Sequence, residues 1–185
     1  MKKLFLIGAM LLGLGAQAQN DTFSQGTKVV GAGIGLGVYS SGSMVVPPIA
    51  ASFEYSIKDN LFDDKSSIGV GAYAGYYGLD YKTSILNVAQ GYKSSNFVLG
   101  GRGALHYQFV DKLDTYIGLM LGYRVTSNSH YGYSGPIVLD ATSTNSGLAW
   151  NSFIGARYYF TDRLAANLEF GYGIAAAHIG VSYKL

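Results

Sequence analysis

Residues 152–172 read SFIGARYYFTDRLAANLEFGY, and in both halves of this stretch apolar side chains recur at every second position. That period is typical of β-strands, because successive side chains of a strand point to opposite faces of the sheet. A short polar segment around Asp162 separates the two halves, and Asp favours tight turns. The stretch therefore predicts two antiparallel strands joined by a short turn.

The turn of this hairpin belongs to a repeat that occurs three times. YSIKDNL at 55–61, YQFVDKL at 107–113 and YYFTDRL at 158–164 share a Tyr, an apolar residue two positions later, and then Asp and Leu. Each copy ends one strand, and the second and third copies begin the next strand at once. Repeats at nearly equal spacing indicate equivalent structural units. We therefore expect all three turns at the same end of one sheet.

The alternation of apolar residues continues from about residue 28 to the end of the chain, and no segment sustains the period of a helix. Most of the runs are longer than the roughly 5–6 residues usual in soluble sheets, and they match the roughly 9–11 with which a tilted strand crosses a bilayer. The fold class is thus all-β, an eight-stranded antiparallel up-and-down transmembrane β-barrel. The predicted strands are 28–40, 46–57, 67–78, 96–109, 114–126, 148–160, 164–173 and 176–184.

The connections opposite the repeated turns differ from them in length and composition. We expect two short connections, at 41–45 and about 173–176, and two long loops, at 79–95 and 127–147, which are rich in Ser, Asn, Gly and Tyr. Short turns on one side and long loops on the other are typical of outer-membrane barrels, with the turns in the periplasm. An even number of strands then predicts that both termini are periplasmic.

Charge decides which face of the predicted strands points outwards. One set of alternating positions carries no charged residue along all eight strands, with Leu119 and Ile154 near the middle of two of them. The interior of an eight-stranded barrel is only wide enough for side chains to fill. So many apolar residues must therefore face outwards, where a water-soluble protein would aggregate and only hydrocarbon suits them.

The opposite set of positions points into the lumen, where we expect a polar network. Its predicted members are Glu54, Arg102, His106, Arg124, Arg157, Glu169 and Lys184. Glu54, His106 and Arg157 each precede a repeated Tyr, which predicts that they lie at one depth. Arg157 is expected opposite Asn167 and within reach of Glu169. Such a network would plug the lumen, so we expect no general diffusion pore. A narrow porin-like channel for small or apolar solutes is the alternative.

Aromatic residues concentrate near both ends of the predicted strands, as in the interfacial girdles of membrane barrels. The girdle near the repeated turns is predicted to comprise Tyr55, Tyr107, Phe109, Tyr158, Phe160 and Tyr183. The opposite girdle is predicted to comprise Tyr76, Phe97, Tyr123, Trp150 and Tyr172.

The N-terminus reads as a cleaved signal peptide. Lys2 and Lys3 form a basic start, residues 4–14 are apolar, and Ala16-Gln17-Ala18 fits the small-x-small cleavage rule. The apolar run is too short for a transmembrane helix, which needs about 20 residues. We therefore expect residues 1–18 to be the signal peptide and residues 19–185 to form the barrel domain.

Composition excludes several classes of function. The chain has 185 residues, no Cys and a formal net charge of +2. It therefore has no disulfide framework or thiolate metal site, and too little positive charge to bind nucleic acid. His130, near Ser127, Ser129 and Ser134, is the one arrangement that could suggest catalysis, but a solvated loop His accounts for it better. We expect neither enzymatic activity nor a cofactor.

The last strands carry a family resemblance. Residues 155–164 (GARYYFTDRL), 168–173 (LEFGYG) and 179–185 (IGVSYKL) resemble the outer-membrane β-barrel (porin-like) proteins common in Bacteroidetes-type bacteria. In architecture the chain is similar to the small OmpA/OmpX-type barrels of Gram-negative outer membranes. The closing strand also resembles the signal read by the barrel-insertion machinery, although Leu185 stands where a terminal aromatic is usual.

The resemblance implies partners rather than a catalytic site. We expect a monomer in contact with outer-membrane lipid and, during biogenesis, with the insertion machinery. An unidentified surface ligand at the predicted loops 79–95 and 127–147 would give the protein a binding role. A purely structural role is the other expectation.

Overall fold

The computed structural model describes residues 22–185, except 86–87, 132, 135–136 and 139–141. The predicted signal peptide, residues 1–18, lies outside the described residues. No described helix is long and apolar enough to cross a membrane.

Eight long strands close into one barrel, which confirms the predicted fold class. Every neighbouring pair is antiparallel, in the order β1-β10-β9-β8-β5-β4-β3-β2, and β6 pairs only with β7 as a separate small hairpin. The strands are β1 Lys28–Val38, β2 Ser43–Asp59, β3 Ser66–Ile85, β4 Val88–Val110, β5 Leu113–Tyr131, β6 Tyr133–Ser134, β7 Ile137–Val138, β8 Thr142–Tyr159, β9 Leu164–Tyr172 and β10 Ala175–Lys184.

The first and last strands join to complete the barrel. β1 and β10 pair without a register shift from Val29 opposite Lys184 to Ile34 opposite Ile179, and again at Val38 opposite Ala175. Closure leaves no row of unpaired backbone N–H and C=O groups, which hydrocarbon could not satisfy.

The three copies of the sequence repeat lie at one end of the barrel, which we call the turn end. There β2 leads to β3 through residues 60–65, β4 to β5 through 111–112, and β8 to β9 through 160–163. Asn60 and Lys112 adopt positive φ angles of 52° and 63°, the left-handed conformation that tight turns demand. The opposite end is called the hairpin end.

The predicted loops 79–95 and 127–147 are wrong in extent, because most of their residues continue the strands. β3 and β4 remain paired up to Ile85 and Val88, and β5 and β8 up to Ser129 and Thr142. Thr and Tyr form strands readily, but in these extensions polar residues occupy both faces. The apolar alternation that predicts a strand ends where the outside is no longer hydrocarbon, while the backbone pairing continues.

The outer surface is apolar, as the alternation predicts. On β5, Ile117, Leu119 and Leu121 are about three-fifths exposed, and Ile154 and Ile179 show similar exposure on β8 and β10. Such a continuous apolar exterior suits a lipid environment and would cause aggregation in water.

An apolar cluster fills the lumen on the hairpin-end side of the charged residues. The sequence pattern did not predict this cluster. Gly118 and Gly155 make room for two of its rings, since a Cβ at either position would lie 2.5 Å from Phe153 or Tyr116 respectively. Met120, with 1% of its surface exposed, is one of the most deeply buried members of the cluster. The cluster comprises Tyr73, Tyr77, Leu79, Val98, Ala104, Tyr116, Met120, Ala149, Phe153 and Ile174.

Candidate functional site

Four charged or polar side chains from four strands form a closed ring in the lumen near the turn end. His106 places Nδ1 2.8 Å from Asp114 Oδ1 and Nε2 2.9 Å from Glu54 Oε1. Arg157 donates from Nη1 to Asp114 Oδ2 at 3.2 Å and from Nη2 to Glu54 Oε2. Each carboxylate therefore bridges the imidazole and the guanidinium.

The ring is buried and its charges can balance. The side chains of all four residues are at most 3% exposed. Both nitrogens of His106 face carboxylate oxygens, an arrangement that satisfies the doubly protonated imidazolium. Two cations then neutralise two carboxylates, which buried charges require.

The segment before β1 covers this ring from the turn end. The ring of Phe23 stacks on His106 with centroids 4.0 Å apart, and Thr22 donates from both its backbone N and its hydroxyl to Oε1 of Gln108. Phe23 is 5% exposed. The described N-terminal residues are thus part of the barrel's plug rather than a free tail.

A second ion pair lies on the other side of the ring, towards the apolar cluster. Arg102 Nη2 donates to Glu169 Oε2 at 2.9 Å, and the Tyr116 hydroxyl reaches the same oxygen at 3.3 Å. The Arg102 guanidinium carbon lies 4.1 Å from the centroid of Phe153. The four-residue ring and the Arg102–Glu169 ion pair therefore fill the lumen with paired charges at two adjacent depths.

Not every residue of the predicted network joins these contacts. Arg124 lies further towards the hairpin end, where its Nη1 is 3.4 Å from the Tyr77 hydroxyl. Lys184 lies at the turn end with its amine 4.8 Å from the centroid of the Tyr159 ring.

The predicted pairing of Arg157 with Glu169 is wrong, although Arg157 does lie opposite Asn167. Arg157 pairs with Asp114, which lies directly opposite it on the neighbouring strand β5, and reaches across the lumen to Glu54, while Glu169 contacts Arg102 instead. The physical reason is the narrow lumen. Across a lumen this narrow, the Arg157 guanidinium reaches Glu54 on the far wall while it keeps Asp114 on the neighbouring strand, and the diagonal Glu169 is left to Arg102.

The predicted network did not include two residues that belong to the site, Asp114 and Tyr116. Asp114 is fully buried and Tyr116 is 4% exposed. Both stand on the inward phase of β5, and that phase could have identified them. Asp114 follows the repeat directly, where a turn residue is the ordinary interpretation.

The predicted girdle residues occupy outward positions, near the strand ends at the turn end but, apart from Tyr172, well inside their strands on the hairpin-end side, because those strands continue past them. At the turn end Phe109 and Phe160 are about three-fifths exposed and contact Tyr107 and Tyr158. At the hairpin end the Trp150 and Tyr172 rings lie 5.5 Å apart. Tyr55, Phe97, Tyr123 and Tyr183 are exposed, and Tyr76 is half-buried.

A separate cavity of about 410 Å³ opens at the hairpin end of the lumen. We call it the hairpin-end cavity. Its polar wall includes Tyr81, Tyr92, Arg124, Asn128 and His130. Its floor includes the buried side chains of Leu79 and Ile174, which belong to the apolar cluster. The cluster therefore lies between this cavity and the charged ring.

His130 does not form a catalytic arrangement with the described serines. Its ring lies 5.4 Å from that of Tyr92, inside the lumen, whereas strand alternation turns Ser127 and Ser129 to the outer face. The side chain of Ser134 lies outside the described residues. Among the described side chains, no group of three or more His, Asp or Glu is suited to hold a metal ion.

A closed barrel of eight antiparallel strands, apolar outside and filled with side chains inside, defines a β-barrel of the outer-membrane type. No protein family and no curated protein sequence matches the chain.

Solved structures do match. One is the crystal structure of Ail, the attachment invasion locus protein of Yersinia pestis, in complex with the heparin analogue sucrose octasulfate. It is 12% identical with a TM-score of 0.51, over 87% of this chain and 99% of that one. Another is the N-terminal β-barrel domain of Pseudomonas aeruginosa OprF, with 16% identity, a TM-score of 0.41, and coverage of 88% and 98%. The likeness to Ail supports the assignment of the fold.

Proposed function

We propose that the protein is an integral outer-membrane β-barrel, inserted as a monomer, with a closed lumen and a hairpin end displayed at the cell surface for binding. The observation that carries this proposal is an apolar exterior around a lumen blocked by paired charges and packed side chains. The sequence resemblance further favours a relationship to the porin-like barrels of Bacteroidetes-type bacteria.

Closure of the lumen is supported at three successive depths. Phe23 covers the turn end, the ring of Glu54, His106, Asp114 and Arg157 spans the next level, and the apolar cluster occupies the middle. Ions crossing this path would have to displace buried pairs and then pass an apolar layer. Water-filled porins instead use roughly 16–18 strands.

Conductance tests this closure. We expect the refolded protein in a planar bilayer to show no steady open channel, because packed side chains close the lumen at three depths below the hairpin-end cavity. Phe23→Ala should remain closed as well, since the ring and the cluster persist. A stable, large conductance of the unaltered protein would contradict the closed lumen, and a small, solute-selective conductance would favour the narrow channel.

Surface display is supported by the strands that extend past the apolar belt. β3, β4 and β5 have 20, 23 and 19 residues, about twice the roughly 9–11 that a bilayer crossing needs. The extensions carry polar side chains on both faces, which suits water. Ail, the similar barrel, is crystallised with a sulfated saccharide, and a surface-binding role is the use that we propose for these extensions here.

The proposed orientation puts the hairpin end outside and both termini in the periplasm, after cleavage of the signal peptide behind Ala18. Because the chain has no Cys, single cysteines report exposure cleanly. We expect Lys82→Cys, at a side chain 72% exposed, to react with a membrane-impermeant maleimide on whole cells. Asp162→Cys, in an exposed turn, should react only after lysis. The intact mass of the labelled chain shows whether one maleimide has been added and whether the chain begins at residue 19. The reverse labelling pattern would invert the topology.

A further inference from the structure

We propose that the hairpin-end cavity binds a small acidic saccharide, one or two sugar rings that carry a carboxylate, sulfate or phosphate group. The inference deepens the proposed surface-binding role and rests on it for access from outside the cell. The volume of about 410 Å³ lies within the range of roughly 300–1,000 Å³ typical of small-molecule sites.

Arg124 gives the cavity its preference for an anion. Its side chain is half-buried, and among the described residues its one hydrogen bond is the 3.4 Å contact with Tyr77. In the part of the chain that the structure describes, no Asp or Glu lines the cavity. The nearby carboxylate of Asp80 lies on the outer side of β3, where Tyr131 and Lys82 engage it. A guanidinium partly shielded from bulk water, with no carboxylate partner among the described residues, is well placed to bind an anionic group of a ligand.

Aromatic and amide side chains give the cavity its fit for a sugar. The rings of Tyr81 and Tyr92 stack with centroids 4.6 Å apart, and a tyrosine ring presents a flat apolar face beside a polar hydroxyl. That combination matches the C–H face and the hydroxyls of a pyranose. Asn96 and Thr126 are joined by a 2.8 Å hydrogen bond, and Asn128 lies beside them on the wall. Amides and hydroxyls both donate and accept, as sugar hydroxyls require.

The apolar floor limits the cavity to binding. Leu79 and Ile174 are 4% and 5% exposed, and beyond them lies the rest of the packed cluster. A ligand that enters from the hairpin end therefore meets a closed base. The site should retain a saccharide without passing it through the barrel.

Calorimetric titration of the purified, detergent-solubilised protein tests the site. The probes are glucuronate, glucose 6-sulfate, glucose 6-phosphate and neutral glucose. We expect the acidic sugars to bind at least about tenfold more tightly than glucose, the scale of one charge-assisted hydrogen bond.

Three variants test the wall of the cavity. Arg124→Gln should remove the advantage of the acidic sugars, and Tyr92→Ala should weaken the binding of all four sugars. Lys93→Gln, which alters a cation on the outer face of the same strand as Tyr92, should change nothing.

Each contrary result has a distinct meaning. The site is refuted if acidic sugars do not bind, if glucose binds equally well, or if Arg124→Gln leaves the preference intact. Sodium sulfate binding as tightly as glucose 6-sulfate would overturn the saccharide part. A heparin disaccharide and the phosphorylated core oligosaccharide of lipopolysaccharide, tested side by side, distinguish a foreign glycan from the cell's own, and binding of either supports the site. In detergent the cavity is accessible whichever way the barrel faces in the membrane. A negative binding result would therefore contradict the saccharide site without contradicting the orientation tested by cysteine labelling.

Discussion

Replacing Leu119 by Arg should destabilise the inserted barrel by roughly 2–4 kcal/mol, the cost of an Arg on the lipid face at the bilayer midplane. Leu119 lies outward near the middle of β5 and is 62% exposed. It has neighbours of the same character, Ile117 and Leu121, two residues away on either side. An Arg guanidinium on this apolar surface would have neither water nor a described carboxylate beside it to satisfy its charge.

The matched control is Ser129→Arg, on the same face of the same strand but in its polar extension. There the guanidinium reaches water, and the cost should fall to roughly 0–1 kcal/mol. Equilibrium unfolding by urea in lipid vesicles, with the gel-mobility difference between unboiled and boiled samples as readout, measures both variants. Equal costs at the two positions would mean that the outer surface of β5 does not face hydrocarbon at residue 119.

The sequence predicted the barrel because one physical constraint acts on every strand. Hydrocarbon outside and a narrow lumen inside force alternating side chains along the whole crossing, and the repeated Asp turns mark one end. The same logic failed at residues 79–95 and 127–147. Beyond the hydrocarbon neither face of a strand has to be apolar, so the side chains of those extensions carry no alternation although their backbones remain paired.

Inside the lumen, alternation predicts which residues point inwards but not which of them meet. It places Met120 inside correctly, yet it does not reveal that Met120 lies within an apolar cluster. Arg at position 120 would therefore disturb the apolar packing, so an inward position is not by itself a tolerant site for Arg. The contact of Arg157 with Glu54 depends on how side chains cross the barrel, which strand spacing alone does not encode, whereas Asp114 is its direct neighbour on β5.

Arg157→Ala should destabilise the barrel by about 3–5 kcal/mol, the cost of leaving partners of a buried ion pair uncompensated. Removing this guanidinium leaves Glu54 and Asp114, 1% and 0% exposed at their side chains, with only His106 between them. Arg124→Ala is the control. It removes the same type of side chain from the hairpin-end cavity, where no described carboxylate depends on it, and its effect on stability should be small.

Double variants separate the observed contacts from the pairing expected from sequence. Because Arg157 contacts Glu54 directly, Arg157→Ala combined with Glu54→Ala should cost clearly less than the sum of the two single effects, since neither charge is then left unpaired. Arg157→Ala combined with Glu169→Ala should come closer to additivity, because Glu169 has its own partner in Arg102. Urea unfolding of the unaltered protein, the three single variants and the two double variants in vesicles gives both coupling energies. A coupling to Glu169 that exceeded the coupling to Glu54 would restore the diagonal pair and refute the four-residue ring, because the ring requires that Arg157 reach across the lumen.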